Sequence, residues 1–346
     1  MNFSSKLFNW YQKNKRELPW RETKNPYKIW ISEVILQQTR VKQGLPYYIK
    51  FLNKYPSLNK LSLASEEEIL LLWQGLGYYR RAINLLESAK KIVKTNNGNF
   101  PNTFDDIIKI KGIGDYTASA ISSICFGEKE VVVDGNVFRF MSRLLGIKRD
   151  IKLKSNLIFF KNTLKLLIGD LNPGDFNQAL MEFGALQCIP NKPPCQSCIF
   201  KSECKAHLMK DVKSYPQKKV KIQKKQRHLN YIVMLSNKKL IFKKRVESDI
   251  WKNLYEFPLV EGKCSELKQI VNKKEFIDLS NKLTYPPKFL KLVNVKHLLS
   301  HQTLNIKFWI FTSGGSFNNL RSFKEILNLP KPVVISDFID KHLKSL

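Results

Sequence analysis

The chain is short of acid. Its 346 residues hold 29 Asp and Glu against 59 Lys and Arg, a formal charge of +30, and an excess of that size points to a polyanion as partner. Membrane signals are missing as well: no apolar run reaches the roughly 18 residues that span a bilayer, and neither end carries a lipidation motif. With the membrane set aside, nucleic acid is the polyanion that remains. The competing explanation is a lysine-rich source, which the lysines scattered through 221–225 and 238–244 would fit. No secretory signal precedes the sequence, which disfavours a disulfide framework.

Cysteine is scarce too, with six in all, yet four of them crowd into one stretch. Cys188, Cys195, Cys198 and Cys204 are separated by six, two and five residues, so a single loop can bring four thiolates onto one centre. In a basic segment (Lys192, Lys201, Lys205) that centre is a metal or iron–sulfur site. Zn²⁺ and a [4Fe–4S] cluster both accept four thiolates. Zinc sites made of cysteine usually pair two Cys-x-x-Cys knuckles. Here only Cys195 and Cys198 make one and the outer gaps are unequal, which favours the cluster. Cys125 and Cys264 lie outside the quartet and read as buried small hydrophobes.

At this length two domains are expected, and the texture changes near residue 210. Before it, apolar residues recur at three- and four-residue steps through Pro26–Arg40, Glu66–Trp73, Arg80–Thr95 and Thr117–Phe126, the period of amphipathic helices. Beyond a lysine-rich connector, Tyr231–Leu235 and Leu240–Lys244 flank Ser236, Asn237 and Lys238 as hairpin strands would, and Ile306–Thr312 is a further strand. The fold class is therefore multi-domain: an all-α domain over 1–209 with the cysteine loop at 188–204, a basic linker over 210–226, and an α+β domain over 227–346.

In the helical half, Thr103 caps a short helix with Asp106 three residues on. Lys111-Gly112-Ile113-Gly114-Asp115 follows, and a second helix begins. Two glycines make a tight turn that lets the backbone approach a large ligand, and the amides opening the second helix face outward with the positive end of its dipole, a nest for a DNA phosphate. The same pattern also serves as an ordinary helix C-cap. Glu33 lies mid-helix with Trp30 three before and Gln37 four after, all on one face. A carboxyl beside an indole and withdrawn from water has a raised pKa and suits a general acid, although most helix glutamates are simply solvated. Asp134 follows Val131-Val132-Val133 and opens a helical pattern through Leu145, so it caps that helix. A carboxylate kept ionised there by backbone amides suits stabilisation of a positive charge, and the two acids have the divergent pKa values of a glycosidase pair.

Together these motifs carry a resemblance. Gly-Ile-Gly-Asp-Tyr-Thr-Ala in the hairpin, Asp134-Gly135-Asn136-Val137 about twenty residues on and the cysteine quartet resemble the endonuclease III superfamily. Within it, Leu18-Pro19-Trp20-Arg21, the run from Trp30 to Thr39 (Trp-Ile-Ser-Glu-Val-Ile-Leu-Gln-Gln-Thr) and Trp73-Gln74-Gly75-Leu76-Gly77-Tyr78-Tyr79 resemble the MutY-type adenine DNA glycosylases. The likeness covers almost the whole chain and is strongest from about residue 7 to 205.

The resemblance implies a helix-hairpin-helix DNA glycosylase domain with a [4Fe–4S] cluster on the four cysteines, followed by a Nudix-like domain with Trp251-Lys252-Asn253-Leu254-Tyr255-Glu256-Phe257-Pro258 in the matching place. It implies that Glu33 protonates an adenine ring nitrogen, that Asp134 stabilises or transiently bonds the sugar, and that Asn136 positions the reacting groups. Members that also cut the strand carry a lysine after the hairpin. Here Tyr116 stands there, and a phenol forms no imine, so excision without strand cleavage is favoured. Lys111, where relatives have proline, reads as a phosphate contact beside Gly112 and Gly114, with a stand-in lyase role as its minor alternative. Flipping the target nucleotide falls to Tyr78 as wedge and to Gln38 with Leu36 as plug. Trp20 and Arg21 resemble the rim of the adenine pocket, and Gln178 joins them in base recognition. Ser300 and His301 match the loop that reads an oxidised guanine, with Leu299 where relatives have an aromatic, which softens discrimination. No Arg-Glu-x-x-Glu-Glu run occurs between Gly262 and Leu292, so phosphohydrolase chemistry is not expected. Phe138 occupies a position that is lysine in some relatives.

The function implied is base-excision repair: removal of adenine opposite 8-oxoguanine, and opposite guanine, leaving an abasic site. The agent is a monomer acting on double-stranded DNA in the cytoplasm, at the nucleoid of a bacterium. The alternatives are a bifunctional glycosylase and lyase, against which Tyr116 weighs, and a non-catalytic iron–sulfur DNA sensor, against which the joint presence of Glu33 and Asp134 weighs.

Overall fold

The three- and four-residue apolar steps of the first half become helices at Pro26–Leu36, Glu66–Leu72, Arg80–Asn96 and Asp115–Phe126. Caps explain where they begin. Asn25 accepts from the amide of Lys28 with Pro26 at the first position, and Ser65 with Glu68 forms a reciprocal capping box; both supply partners for first-turn amides that have none in the helix. The first helix was expected to reach Arg40. It stops at Leu36 because Gln38 adopts φ +57°, a left-handed conformation in which a right-handed helix cannot continue.

The computed structural model describes residues 2–151, 153–217, 223–314 and 320–343, and its chain divides into two units, Met1–Ala64 with Asn84–Val220, and Ser65–Ile83 with Lys221–Leu346. The first unit is helical around a phenylalanine-rich core. The Gly135–Leu145 and Pro173–Leu186 helices feed it with Phe138, Phe140, Phe176 and Phe183, and Phe160 and Phe200 complete it. Phe138 is fully buried, its ring edge-on to Phe160 at 4.8 Å. An ammonium there would have to leave water without a partner, so the residue that is lysine in some relatives serves the core in this chain.

The second unit is built on a mixed sheet. Its strands are β1 (Lys225–Ser236), β2 (Lys239–Ile241), β3 (Lys243–Lys244), β4 (Tyr255–Glu256), β5 (Leu259–Glu261), β6 (Lys288–Leu298), β7 (Gln302–Thr312) and β8 (Leu320–Ser322). The sheet runs β6-β7-β1-β2-β8, with β5 also on β1, and β3 with β4 forms a separate pair. The β1–β2 hairpin turns at Asn237 and Lys238, both at positive φ, the turn geometry that matches strand twist. The long parallel pairing of β1 with β7, from Lys225 against Gln302 to Leu235 against Thr312, sets β1 at the centre with apolar clusters on both faces. Tyr231 and Val233 go to one cluster, Ile232 and Met234 to the other. A strand buried on both faces loses the alternation that marks a half-exposed one.

Two boundaries differ from the expected ones. The stretch Ser65–Ile83 groups with the sheet through long-range hydrogen bonds that sequence periodicity does not carry: Tyr255 Oη to Glu67 Oε1 at 2.6 Å, Lys331 N to Gln74 Oε1 at 3.2 Å and Tyr78 Oη to Ser300 Oγ at 2.6 Å. The expected linker over 210–226 gives up its end to β1, which starts at Lys225, while residues 218–222 of it lie outside the described residues. Among the described residues no helix is long and apolar enough to cross a membrane.

One charged network lies inside the second unit. Arg245 and Glu256 are both nearly excluded from water. Arg245 donates to Glu256 Oε1 and to Asp249 Oδ2, each at 2.9 Å, and Tyr231 Oη donates to Glu256 Oε2 at 3.0 Å. Removing one member strands the others in a medium that cannot solvate them. Glu256→Ala is expected to destabilise the protein by about 3–5 kcal/mol, read as a lowered midpoint in urea unfolding; a midpoint within error of wild type would show that the network is dispensable.

Candidate active site

The site begins with a hairpin. Thr103 caps the Phe104–Ile107 helix through the amide of Asp106, the chain turns through Gly112, and the Asp115–Phe126 helix opens at Gly114 without a side-chain cap. Gly112 needs to be glycine twice over: its φ is +84°, and a Cβ would meet Asn84 Cβ at 2.9 Å. The uncapped first turn leaves amides suited to an oxyanion. Lys111 is exposed and ion-paired with Glu87 at 2.6 Å, while Ser88 donates to its carbonyl.

A cleft of about 630 Å³ in the same unit gathers Glu33, Tyr116, Asp134 and Asn136, with Leu36, Gln38, Trp20, Arg21 and Gln178 also on its walls. Glu33 is buried on the Pro26–Leu36 helix. Burial pushes its pKa up to about 7, the nearby Asp134 charge adds to the rise, and a hydrogen bond with Tyr116 opposes it. Burial is the withdrawal from water that was expected; the Trp30 ring packs on Phe100 with centroids 5.5 Å apart, and Ile29, Leu36 and Ile124 line the cleft as an apolar wall. Tyr116 Oη also lies 3.1 Å from Met181 Sδ. One phenolic proton serves one acceptor, and a carboxylate is a far better one than a thioether.

Asp134 caps the Gly135–Leu145 helix as expected. Its Oδ1 accepts from the amides of Asn136 at 2.9 Å and Val137 at 2.7 Å, and its Oδ2 accepts from Asn136 Nδ2 at 2.8 Å. The expectation that these bonds depress its pKa needs correction: burial dominates and raises it, and the three hydrogen bonds with the Arg139 charge only limit the rise. The two acids still differ, because nothing comparable stabilises the ionised form of Glu33.

Several residues that hold this geometry carry no sequence motif. Asn177, fully buried, accepts from Val132 N at 3.0 Å and donates to Ser123 Oγ and to Glu130 O, each at 2.8 Å, so one carboxamide pins the extended segment that delivers Asp134. Gly184 lets the Pro173–Leu186 helix pass the Asp134 loop, since a Cβ would stand 2.8 Å from the carbonyl carbon of Asn136. Arg139 donates to Asn136 Oδ1 at 3.0 Å, to Gly184 O at 2.7 Å and to Cys188 O at 2.8 Å. Glu182 is buried between Arg16 and Arg21, whose guanidinium groups approach it to 2.5 and 2.6 Å; burial pushes its pKa up, but those hydrogen bonds prevail and hold it at about 2. Arg21 is thus a wall of the cleft tied down by Glu182. Trp20 is buried edge-on to Tyr48, and Gln178 accepts from Tyr11 Oη at 3.0 Å.

The four quartet cysteines line one cavity with Phe140, Phe183, Phe200 and Arg143. Arg143, buried on the same helix as Arg139, donates to Ile189 O at 2.7 Å and Pro190 O at 3.0 Å and lies 3.5 Å from Cys188 Sγ. In the second unit, Tyr78 is held at φ +48° after Gly77 at φ +74°, and its hydroxyl meets Ser300, which is also 3.2 Å from His301 Nδ1.

A carboxyl pair in one cleft, a glycine hairpin and four gathered cysteines on one helical unit define a helix-hairpin-helix base-excision protein, and the model of the HhH-GPD superfamily of base excision DNA repair proteins matches residues 31–160. The adenine DNA glycosylase of Buchnera aphidicola (subspecies Acyrthosiphon pisum, strain APS) is 36% identical over 334 residues, 96% of this chain and 95% of its own. That of Homo sapiens is 41% identical over 215 residues, 59% of this chain and 39% of its own. Among solved structures, a thermostable thymine-DNA glycosylase superposes with a TM-score of 0.55 at 29% identity, over 60% of this chain and 95% of its own. Endonuclease III in a non-covalent DNA complex shares the fold, with a TM-score of 0.52 at 22% identity over 60% and 94%. The chain belongs to the adenine DNA glycosylase family.

The raised pKa of Glu33 has a consequence for stability. The native state binds this proton more tightly than the unfolded chain, so raising the pH from 4.5 toward about 7 ionises unfolded molecules first and lowers stability. Glu33→Gln keeps the shape and removes the ionisation. It is expected to stabilise the protein above neutrality by roughly 3 kcal/mol and to flatten the pH dependence in that window. Denaturant unfolding of both proteins across this pH range is the check, and parallel curves would refute it.

Proposed function

We propose that the protein removes adenine mispaired with 8-oxoguanine, and with guanine, by hydrolysing the N-glycosidic bond and leaving an abasic site. The observation that carries the reading is one cleft holding a buried, proton-retaining Glu33 together with Asp134, whose ionised form has three hydrogen-bond donors. The target reaches such a cleft only as a flipped nucleotide. Glu33 gives its proton to a ring nitrogen, and adenine leaves as a neutral base with the bonding electron pair. The positive charge left on the sugar faces Asp134, which stabilises it or bonds it transiently while Asn136 holds the carboxylate. Water then adds to the sugar carbon and its proton returns to Glu33.

Tyr116 offers Glu33 a hydroxyl where strand cleavage would need an amine, and an ammonium paired with Glu87 supports reading Lys111, with Gly112 and Gly114, as the phosphate contact. Leu36 and Gln38 serve as plug, Tyr78 as wedge, and Ser300 with His301 as reader of the opposite base. Trp20, Arg21 and Gln178 shape the adenine end of the cleft. The +30 charge favours duplex DNA as partner of a monomer, with binding that weakens by a slope of about −0.9 per phosphate neutralised as salt rises. An enzyme that acts on the chromosome works in the cytoplasm, at the nucleoid.

The donor set also fits a [4Fe–4S] cluster held by Cys188, Cys195, Cys198 and Cys204. Four thiols share an apolar cavity with a guanidinium beside one sulfur. When bound, the cluster supplies a structural tie for a loop that carries Lys192, Lys201 and Lys205.

Single-turnover assays on duplexes with adenine opposite 8-oxoguanine, guanine or thymine, with and without alkali, test the reading. Strand breaks only after alkali, fastest opposite 8-oxoguanine, are the expected result. Breaks without alkali would move the protein to the lyase class, and tight binding without product would make it a sensor. Glu33→Gln is expected to lower the rate by at least about 10²–10⁴-fold and spare binding. For the wild type the rate should fall as pH rises past about 7, where Glu33 loses its proton.

A further inference from the structure

The tip of the β6–β7 hairpin contains a chain of hydrogen bonds whose direction follows from the placement of one side-chain amide. Gln302, the first residue of β7, is only 5% exposed. Its backbone closes the turn, with Leu299 N donating to its carbonyl at 2.9 Å, and its side-chain Nε2 lies 2.8 Å from His301 Nε2. An amide nitrogen only donates. With the carboxamide placed so, the imidazole Nε2 accepts, and a neutral ring then carries its hydrogen on Nδ1. Nδ1 is 3.2 Å from Ser300 Oγ, so the ring donates to the hydroxyl. Tyr78 Oη donates to the same oxygen at 2.6 Å. With both lone pairs of Ser300 occupied, its own proton has one remaining use, which is to donate away from the protein.

We propose that Gln302 is a specificity-positioning residue: by fixing the His301 tautomer it turns the Ser300 hydroxyl into an outward donor, matched to a partner base with a carbonyl oxygen at C8. This rests on the reading of Ser300 and His301 as the loop that faces the base opposite adenine. At C8 an oxidised guanine offers that acceptor where plain guanine has a C–H, so the hydroxyl discriminates when it is placed against C8 and not against the neighbouring N7, which accepts in plain guanine. In the other tautomer, Nδ1 would accept the Ser300 proton and leave the tip without a donor. Gln302 acts only through His301, from a buried position beneath the surface that would meet a base.

The test uses Gln302→Met, which preserves size and burial and removes the donor. In wild type, ¹⁵N-detected histidine spectra in alkaline buffer should show His301 as the Nδ1–H tautomer; the chain has five histidines, so assignment by single substitution is practical. In Gln302→Met the ring is expected to revert to Nε2–H, the form free imidazole side chains prefer. The ratio of excision rates for adenine opposite 8-oxoguanine over adenine opposite guanine should fall about tenfold, the worth of one well-placed hydrogen bond. A wild-type His301 found as Nε2–H overturns the proposal whatever the rates. A reversed tautomer with an unchanged ratio overturns it too. A wild type that excises adenine without regard to the opposite base sinks the underlying reading, and does so without reference to the variant.

Discussion

A carboxyl group kept out of water is the constraint around which the helical unit is arranged. Raising the pKa of Glu33 to about 7 requires apolar walls, and Ile29, Leu36 and Ile124 supply part of them. It also requires that no cation reach the carboxylate. In a chain with 59 Lys and Arg that is a demanding condition. Several basic groups around the cleft have partners of their own, while Arg40 on its wall is exposed. Arg16 and Arg21 are held by Glu182, and Arg139 by three acceptors on Asn136, Gly184 and Cys188.

The same constraint explains why Asp134 is built so differently. Both acids are buried enough for their pKa values to rise, but Asp134 sits at a helix start where two amides and a carboxamide converge. Placing a proton-holding acid and a hydrogen-bonded carboxylate in one cleft is a division of labour set by local backbone rather than by residue type. The backbone in turn depends on Asn177 and Gly184. The first replaces the sheet partner that the Glu130–Val133 segment lacks, and the second allows the helix carrying Glu182 to pass close enough to complete the wall.

What the sequence disclosed follows from the range of the interactions involved. Helix periodicity, the Asp134 cap, the glycine hairpin and the cysteine spacing are local patterns, and all were readable. The stop at Leu36 was not, because Gln38 at positive φ is a choice that no propensity favours. Asn177, Glu182, Gly184 and Arg139 act on residues between 3 and 166 positions away, and a single chain holds no record of such pairings. The raised pKa of Glu33 was anticipated from the withdrawal of its carboxyl from water, and burial is the leading cause; membership of one helix face does not say which neighbours, Ile124 among them, that face will meet. The placement of Ser65–Ile83 with the sheet failed to show for the same reason: Glu67, Gln74 and Tyr78 read as an ordinary capped helix and turn until Tyr255, Lys331 and Ser300 arrive from more than 180 residues away.

Hydrogen-bond direction is the level of detail at which the second unit adds to the first. A serine hydroxyl is ambivalent, able to donate or accept, and a base-reading contact built on one discriminates little by itself. Ambivalence ends when neighbours occupy its lone pairs. At the β6–β7 tip this is done by an imidazole and a phenol, and the imidazole is in turn committed by a buried amide. Each step is weak in energy but strict in sign, since an amide nitrogen cannot accept and a filled lone pair cannot be shared. On the proposed reading of this tip, where Leu299 offers no aromatic ring to stack on a base, the sense of that one O–H bond and its placement against C8 would carry the discrimination.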